Sequence, residues 1–178
     1  MKHVISVVVD NEAGVLSRVA GLFSARGFNI ESLTVAPTGE GNISQMIIVT
    51  SGKDDIIEQI VKQLHKLVPV LKVNDLTDGP HVMGELMLVK VAPDSKDRAE
   101  VLRISDIFRC RVVDASPSAF IIEVTGGSDK LNALLAMLAP LGVVEVVRTG
   151  PVAMARTQKE YGQGQGSRTT PPEAKSRR

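Results

Sequence analysis

The strongest constraint on this chain is a series of short apolar segments whose order occurs twice. In the first copy, β-branched runs predict strands, and apolar residues at helical spacing predict two amphipathic helices. The predicted strands are residues 4–9, 30–36, 43–50 and 70–76, and the predicted helices are one after the turn 10–14 and one over 54–67. Gly27 is placed to end the first helix, because glycine readily adopts a left-handed conformation. The order β-α-β-β-α-β predicts a ferredoxin-like α+β domain.

The second copy follows an Asp-Gly-Pro sequence at residues 78–80, which is typical of a chain break between elements. Its predicted strands are residues 85–91, 112–115, 119–125 and 143–148, and its predicted helices are one capped by Ser95 and one over 129–138. Apolar content then collapses, so the end of the chain cannot offset its ordering entropy. We predict two βαββαβ domains, residues 1–78 and 82–155, and a flexible tail, residues 156–178.

Charge and aromatic content argue against nucleic acid as a partner. The net charge is +1, but residues 151–178 carry +4 and residues 1–150 carry −3. A slightly acidic body offers no basic face to a phosphate backbone. An RNA-recognition domain with this strand order would also need aromatic side chains on its third strand, and residues 43–50 contain none.

The sequence contains no constellation typical of a catalytic or metal site. The single cysteine, Cys110, excludes an intrachain disulfide and a Cys-only metal cage, and we expect it to be semi-buried. His3 and the other two histidines match no ligand spacing and are expected at the surface. Asp54 and Asp55 lie at a predicted helix start, where capping and the helix dipole explain carboxylates. We therefore expect no catalytic residue and no metal in this chain.

Nothing in the sequence predicts membrane association. The first apolar run ends at Asp10 without a small-residue cleavage site, so we expect no signal peptide. No apolar stretch approaches the roughly 20 residues that a spanning helix needs. We expect a cytoplasmic protein.

The turn before the first helix is the segment best suited to a small ligand. A helix N-terminus exposes unpaired N–H groups and a partial positive charge, which favour a carboxylate. Gly14 lets a ligand approach the backbone, and Asn11 adds an amide donor and acceptor. Asn29 could contribute in the same way, and an apolar floor would suit the side chain of an amino acid. Asn and Gly are also common in turns for backbone reasons alone, so these residues leave both interpretations open.

Several segments resemble one known family. Residues 11–24 are similar to the opening of an ACT domain, and residues 26–35, 62–67 and 85–90 are similar to the acetolactate synthase small subunit family. The resemblance covers about residues 1–155 and is most specific in about the first 75. The tail, with its Gly-Gln and Pro-Pro stretches, departs from the family pattern.

The resemblance implies a homodimer in which the N-terminal ACT domains pair side by side into one continuous sheet. An effector, usually valine, would bind in the groove between them. The family's effector positions correspond to Asn11, Gly14, Val15 and Leu16 of one chain and to Asn29 and Ile30 of the other.

The resemblance also implies a larger partner. In this family the catalytic large subunit carries thiamine diphosphate, magnesium and FAD, and it condenses two pyruvates, or pyruvate with 2-oxobutyrate. The small subunit raises that activity and confers feedback inhibition in branched-chain amino acid synthesis. Two other functions stay open from the sequence: a free-standing amino-acid sensor of the ACT type that regulates another enzyme or transcription, and a small enzyme on the same scaffold.

Overall fold

Both copies of the element order form the predicted strands and helices. The computed structural model describes residues 1–39 and 41–156. The N-terminal unit consists of β1 (Lys2–Asp10), α1 (Val15–Ser24), β2 (Ile30–Pro37), β3 (Ile43–Ser51), α2 (Asp54–Leu64) and β4 (Val70–Asp75). The C-terminal unit consists of β5 (His81–Val91), α3 (Arg98–Ile107), β6 (Arg111–Ala115), β7 (Phe120–Gly126), α4 (Ser128–Leu138), β8 (Val143–Arg148) and β9 (Val152–Ala155). Except for Arg156, the predicted tail lies outside the described residues.

Each unit forms an antiparallel sheet with its first strand in a central position. The strand order is β2-β3-β1-β4 in the N-terminal unit and β6-β7-β5-β8 in the C-terminal unit. These orders are equivalent, because each strand of the first sheet corresponds in sequence order to one of the second. The predicted fold class, α+β with two ferredoxin-like βαββαβ units, is confirmed.

The core of the N-terminal unit lies between one face of its sheet and its two helices. Side chains alternate across a strand, so Ile5, Val7 and Val9 of β1 share the face that contributes to this core. The two helices contribute buried stripes at helical spacing: Val15, Val19, Phe23, Ile57, Ile60 and Leu64. The apolar periodicity of the sequence therefore positions both helices on the same side of the sheet.

The C-terminal unit has a separate core built in the same way. Met87, Val89 and Val91 of β5 take the place of the three β1 residues. The helices contribute Val101, Ile104, Leu131, Leu134 and Leu138. Each unit thus buries its own apolar cluster, and neither cluster is built from contacts between the units.

A two-stranded ribbon joins the units. β5 begins at His81, earlier than the predicted start at residue 85, and β9 pairs antiparallel with the first part of β5, with Val82 opposite Met154. The sequence pattern does not predict β9, since four apolar residues show no alternation. Ala153 of β9 is buried against the outer face of the N-terminal sheet, in a cluster with apolar residues of β1 and β3.

Two predicted helix ends are wrong. α3 begins at Arg98 after Asp97, so Ser95 lies in the preceding turn and does not cap the helix. α2 ends at Leu64 and not at residue 67, because the N–H groups of Lys66 and Leu67 bond three residues back, the latter to the Leu64 carbonyl at 3.1 Å. Neither difference moves a predicted ligand-binding residue.

Candidate functional site

The turn between β1 and α1 is held in place by backbone contacts with the β2–β3 hairpin. The Asn11 N–H donates to the Asn42 carbonyl at 2.7 Å, and Asn42 Nδ2 donates to the Asn11 carbonyl at 2.8 Å. The Asn11 side chain lies at the surface. The turn is therefore fixed by its main chain, and its amide side chain faces solvent.

Gly14 has the left-handed conformation that the turn requires. Its φ is +87°, and it directly precedes α1, whose N-terminus has no side-chain cap. The first helical bond made to this residue runs from the Arg18 N–H to the Gly14 carbonyl at 3.0 Å. The helix itself leaves the N–H groups of Leu16 and Ser17 without acceptors, because the first turn of any α-helix does so. Such groups suit a carboxylate.

The two apolar residues predicted beside Gly14 have different surroundings. Val15 is buried in the core, so it can offer a ligand only its backbone. Leu16 is 46% exposed on the adjacent face of α1. A ligand side chain at this turn would therefore contact Leu16 and not Val15.

Arg18 lies beside the turn and was missed by the sequence reasoning. Its guanidinium bonds to Glu12 at 3.1 Å, and its Nη2 would lie 4.0 Å from a Cβ placed on Gly14. A cation here adds to the positive end of the helix dipole. Helical spacing could have identified it, since residues four apart share one helix face.

Asn29 and Ile30 lie at the opposite end of the same sheet. Ile30 pairs with Thr50, and Thr50 pairs with His3 near the start of β1. The β1–α1 turn, in contrast, follows the last residue of β1. Seven strand residues separate these levels, which corresponds to about 23 Å. The structure therefore does not bring the two predicted halves of the site together within one chain.

The surroundings of Asn29 suit an outward-facing contact. Its side chain is exposed, and its carbonyl accepts a hydrogen bond from Thr50 Oγ1 at 2.7 Å. Ile30 is half-buried and packs against the N-terminal core. The backbone of Asn29 is thus bonded to β3 while its amide side chain faces solvent.

His3 is buried, which contradicts the expectation of a surface histidine. It is 4% exposed, with Nε2 3.3 Å from Asp54 Oδ1 and Nδ1 3.4 Å from Thr77 Oγ1. The side chain points to the helix-covered face of β1, because it follows the same alternation as Ile5. The alternation of residues along β1 could therefore have predicted that His3 is buried.

A charged pair of the C-terminal unit, Glu85 and Arg148, borders a polar cleft of about 530 Å³ that residues of both units line. Glu85 is 7% exposed and accepts from Arg148 Nε at 2.6 Å and Nη2 at 2.8 Å, while Ser128 Oγ donates to it at 3.1 Å. These hydrogen bonds, those of Arg148 above all, lower the pKa of the Glu85 carboxyl despite its burial. Sequence reasoning missed this pair because 63 residues separate its members.

Other reactive groups show no arrangement for catalysis in the described part of the chain. Burial raises the pKa of the half-buried Cys110 thiol, which is the opposite of what a nucleophilic cysteine needs. Among residues 1–39 and 41–156, no group of three or more His, Cys, Asp or Glu side chains is arranged to hold a metal. Over the same ranges, no helix has the length and apolar character to cross a membrane.

Two family models match the chain, one in each unit. The model described as "AHAS small subunit-like ACT domain" matches residues 5–72. The model described as "Small subunit of acetolactate synthase" matches residues 84–157. Together they span both βαββαβ units.

Individual relatives agree with these matches. The chain is 55% identical over 156 residues to the acetolactate synthase small subunit of Aquifex aeolicus, covering 87% of this chain and 81% of that protein. It is 49% identical over 160 residues to the isozyme 3 small subunit of Escherichia coli, covering 89% and 98%. Among solved structures, the acetolactate synthase small subunit of Thermotoga maritima superposes with a TM-score of 0.82 at 41% identity, covering 88% of this chain and 98% of that one.

Proposed function

Because this chain belongs to the acetolactate synthase small-subunit family, we propose that it activates a catalytic large subunit and makes that subunit sensitive to a branched-chain amino acid, with L-valine as the expected effector. The single observation that carries the effector part of this proposal is the β1–α1 turn. There, left-handed Gly14 opens a helix whose first N–H groups are free to bind a carboxylate.

The chemistry of the turn complements an α-amino acid at each of its three groups. The carboxylate would accept from the N–H groups of Leu16 and Ser17, with the Arg18 guanidinium nearby. The ammonium would donate to a side-chain carbonyl oxygen of Asn11 or Asn29. An aliphatic side chain would contact Leu16 and, from the other half of the site, Ile30.

A shared site between two chains would resolve the separation of its halves. β2 is an edge strand of the N-terminal sheet and runs in the same direction as β1. If two copies paired antiparallel along β2, the Asn29 end of one strand would lie at the level of the β1–α1 turn of the other. This geometry supports the proposed homodimer, in which each effector site takes one half from each chain.

Under this proposal the catalytic chemistry belongs to the partner. Thiamine diphosphate, magnesium and FAD would bind to the large subunit, and this chain would act through association alone. Regulation then requires that the effector bind with different free energies to the activating and non-activating conformations.

The test is reconstitution with the large subunit from the same cell. Acetolactate formation is measured for the large subunit alone, with this chain added, and with this chain and L-valine. We expect association, an increase in rate on adding this chain, and a decrease on adding L-valine. Calorimetry on the isolated chain measures valine binding directly.

Failure to associate with a thiamine-dependent enzyme, together with valine binding by the isolated chain, would instead favour a free-standing ACT sensor. Turnover by the isolated chain would contradict both functions. A chain that neither binds valine nor changes the rate of the large subunit would overturn the proposal.

A further inference from the structure

The segment between β8 and β9 contacts both units at once. On one side, Thr34 Oγ1 of β2 donates to the Thr149 carbonyl at 2.9 Å. On the other side, the Thr149 N–H donates to the Leu86 carbonyl at 3.0 Å, and the Leu86 N–H donates to Thr149 Oγ1 at 3.1 Å. Thr149 therefore connects β2 of the N-terminal unit to β5, the central strand of the C-terminal unit.

A side chain on the next residue would be both strained and crowded. Gly150 has φ +73°, and a Cβ added to it would lie 2.0 Å from Ser32 Oγ and 3.5 Å from Thr34 Oγ1. Among the described glycines, it is the one at which an added Cβ would meet the opposite unit. The backbone of residues 149–150, which we call the latch, therefore lies directly against β2.

The latch is bonded firmly to the C-terminal unit. Arg148 precedes it and makes the two-pronged bond to buried Glu85, and its Nη1 donates to Asn132 of α4 at 2.8 Å. Pro151, which follows the latch, is buried. A displacement of the latch would therefore move β5, β8 and α4 with it.

In the N-terminal unit, the latch contacts β2, the strand that carries one half of the proposed effector site. Ser32 and Thr34 lie on the outer face of β2, a few residues after Ile30. The register of β2 against β3 shifts between Ile30 and Ser32, so the pairing is locally irregular beside this half of the site. A ligand that shifts Ile30 acts on this irregular step, directly before the two residues that contact the latch.

We propose that the latch couples effector occupancy at β2 to the position of the C-terminal unit, and that this coupling carries the inhibitory signal to the large subunit. This inference rests on the proposed function. Most of the large exposed hydrophobic side chains of the described chain lie in the C-terminal unit, as expected for a unit that contacts a partner.

The decisive variant is Thr34→Val, which removes the hydroxyl donor and preserves side-chain shape. The full chain is assembled with the large subunit, and activity is measured with and without saturating L-valine. We expect activation without valine to be unchanged and calorimetry to show valine still bound. The inhibition factor is the activity without valine divided by the activity with valine. It should fall by about fivefold or more, a typical size for allosteric coupling. Thr125→Val, the same change at an exposed position of β7, is the matched control and should behave as wild type.

Gly150→Ala tests the other half of the latch, with Gly84→Ala in the ribbon as its control, because an added Cβ at Gly84 meets nothing within 4 Å. Gly150→Ala should weaken inhibition as Thr34→Val does. If Thr34→Val binds valine and is inhibited as strongly as wild type, the latch does not transmit the signal and the inference is overturned. If wild type itself binds no valine, the proposed function has failed instead, so the two failures are distinguishable.

Discussion

The two units share one topology, yet their first helices begin in chemically different ways. In the N-terminal unit, Gly14 precedes α1, whose first turn has no acidic residue, and the nearby Glu12 is paired with Arg18. In the C-terminal unit, α3 follows Asp97 and carries Glu100 in its first turn. Carboxylates already placed at a helix N-terminus repel a ligand carboxylate there. The fold repeats the scaffold, whereas the turn residues make only the first copy suited to the proposed carboxylate site.

The edge strands of the two sheets differ as well. β2 has eight residues and β6 has five, and each is an edge strand of its sheet. A longer edge offers more unpaired backbone groups to a second copy, and short edges resist such pairing. The comparison therefore places the proposed dimer contact and the proposed ligand site on the same unit.

The ion pairs of the two units differ in burial, and here the C-terminal unit has the more buried one. The Glu85–Arg148 pair of the C-terminal unit is largely buried, whereas the Lys2–Glu31 pair of the N-terminal unit, at 3.3 Å, is more exposed. The first pair borders the latch and the second lines the same polar cleft. The C-terminal side of the cleft is therefore the more firmly fixed one, and its disruption should be the more costly.

The largest effect is expected from Arg148→Ala. Removing the guanidinium leaves the Glu85 carboxylate buried and without its main partner, which should cost about 3 kcal/mol of unfolding free energy. Urea unfolding of the full chain at pH 7 measures this. Lys2→Ala is the matched change at the exposed pair and should cost less than about 1 kcal/mol. Equal losses for the two variants would show that the units do not differ in this respect.

Gly14→Asp tests the difference between the helix starts. A carboxylate at this position would fill the ligand space and repel the carboxylate of L-valine. We expect affinity to fall by about 100-fold, or about 2.7 kcal/mol, in calorimetry on the isolated chain. The fold should survive, because a helix N-terminus favours an acid.

The control for this change is Gly39→Asp in the β2–β3 hairpin loop. Gly39 also has a left-handed φ, +84°, and an added Cβ there meets nothing within 4 Å. It therefore reproduces the backbone strain and the added charge outside the turn itself, in the neighbouring loop whose Asn42 bonds to Asn11. Equal loss of valine binding in both variants would mean that charge or strain, and not the turn, is responsible.

Acid sensitivity should distinguish the buried pair from a surface pair. The folded-state pKa of Glu85 lies below its ordinary value of 4.5, so its ion pair stabilises the fold above that pH. The contribution is lost as the pH falls through the folded-state pKa. The deficit of Glu85→Gln relative to wild type, measured by urea unfolding, should be constant above about pH 5 and shrink in more acidic buffer. It should be smaller than the Arg148→Ala effect, since glutamine can still accept from Arg148.

Glu100→Gln is the surface comparison for this titration. Its carboxyl also has a lowered pKa because of hydrogen bonds from Arg103, but the pair is exposed. Added salt should remove the pH dependence of the Glu100 variant and leave that of the Glu85 variant. A pH dependence that salt abolishes in both would contradict the buried character of the Glu85 pair.

Local patterns in the sequence were sufficient for the scaffold. Over residues 1–39 and 41–156, alternation and helical spacing predict eight of the nine strands and all four α-helices, because each signal lies within a short window. The turn between β1 and α1 was predicted from local sequence in the same way, and Gly14 has the left-handed conformation of a turn residue. The ligand-binding roles of Asn11 and Gly14 stay predictions.

Long-range contacts could not be predicted in the same way. Nothing in the sequence joins Glu85 to Arg148, which the pairing of β5 with β8 brings together, or Thr34 to Thr149, which meet only where the two units touch. The four-residue strand β9 depends on the same contact. The distance between the ligand turn and Asn29 also follows from strand register, so the resemblance to a family, and not the pattern, assigned them to different chains.

The smallest effect is expected at the C-termini of the first helices. Each is followed by a residue in the left-handed conformation, but the residue type differs between the units. The turn after α1 contains Gly27 at φ +72°, and the turn after α3 contains Arg109 at φ +55°. Each terminus has the same pair of backbone bonds, from the left-handed residue and from the residue after it. The acceptors are Ser24 and Phe23 in the first unit and Asp106 and Ser105 in the second.

An L-residue in this conformation is strained by its Cβ, so the second unit stores a strain that the first avoids. Gly27→Ala should therefore cost about 1 kcal/mol, because an added Cβ meets no neighbour within 4 Å and only the backbone strain counts. Arg109→Gly should gain about 0.5 kcal/mol, less than the full strain, since glycine also increases the entropy of the unfolded chain. Urea unfolding of both variants measures the two signs. A loss of stability in Arg109→Gly would mean that contacts of the arginine side chain outweigh the strain, and that the two termini are equivalent in geometry but not in energy.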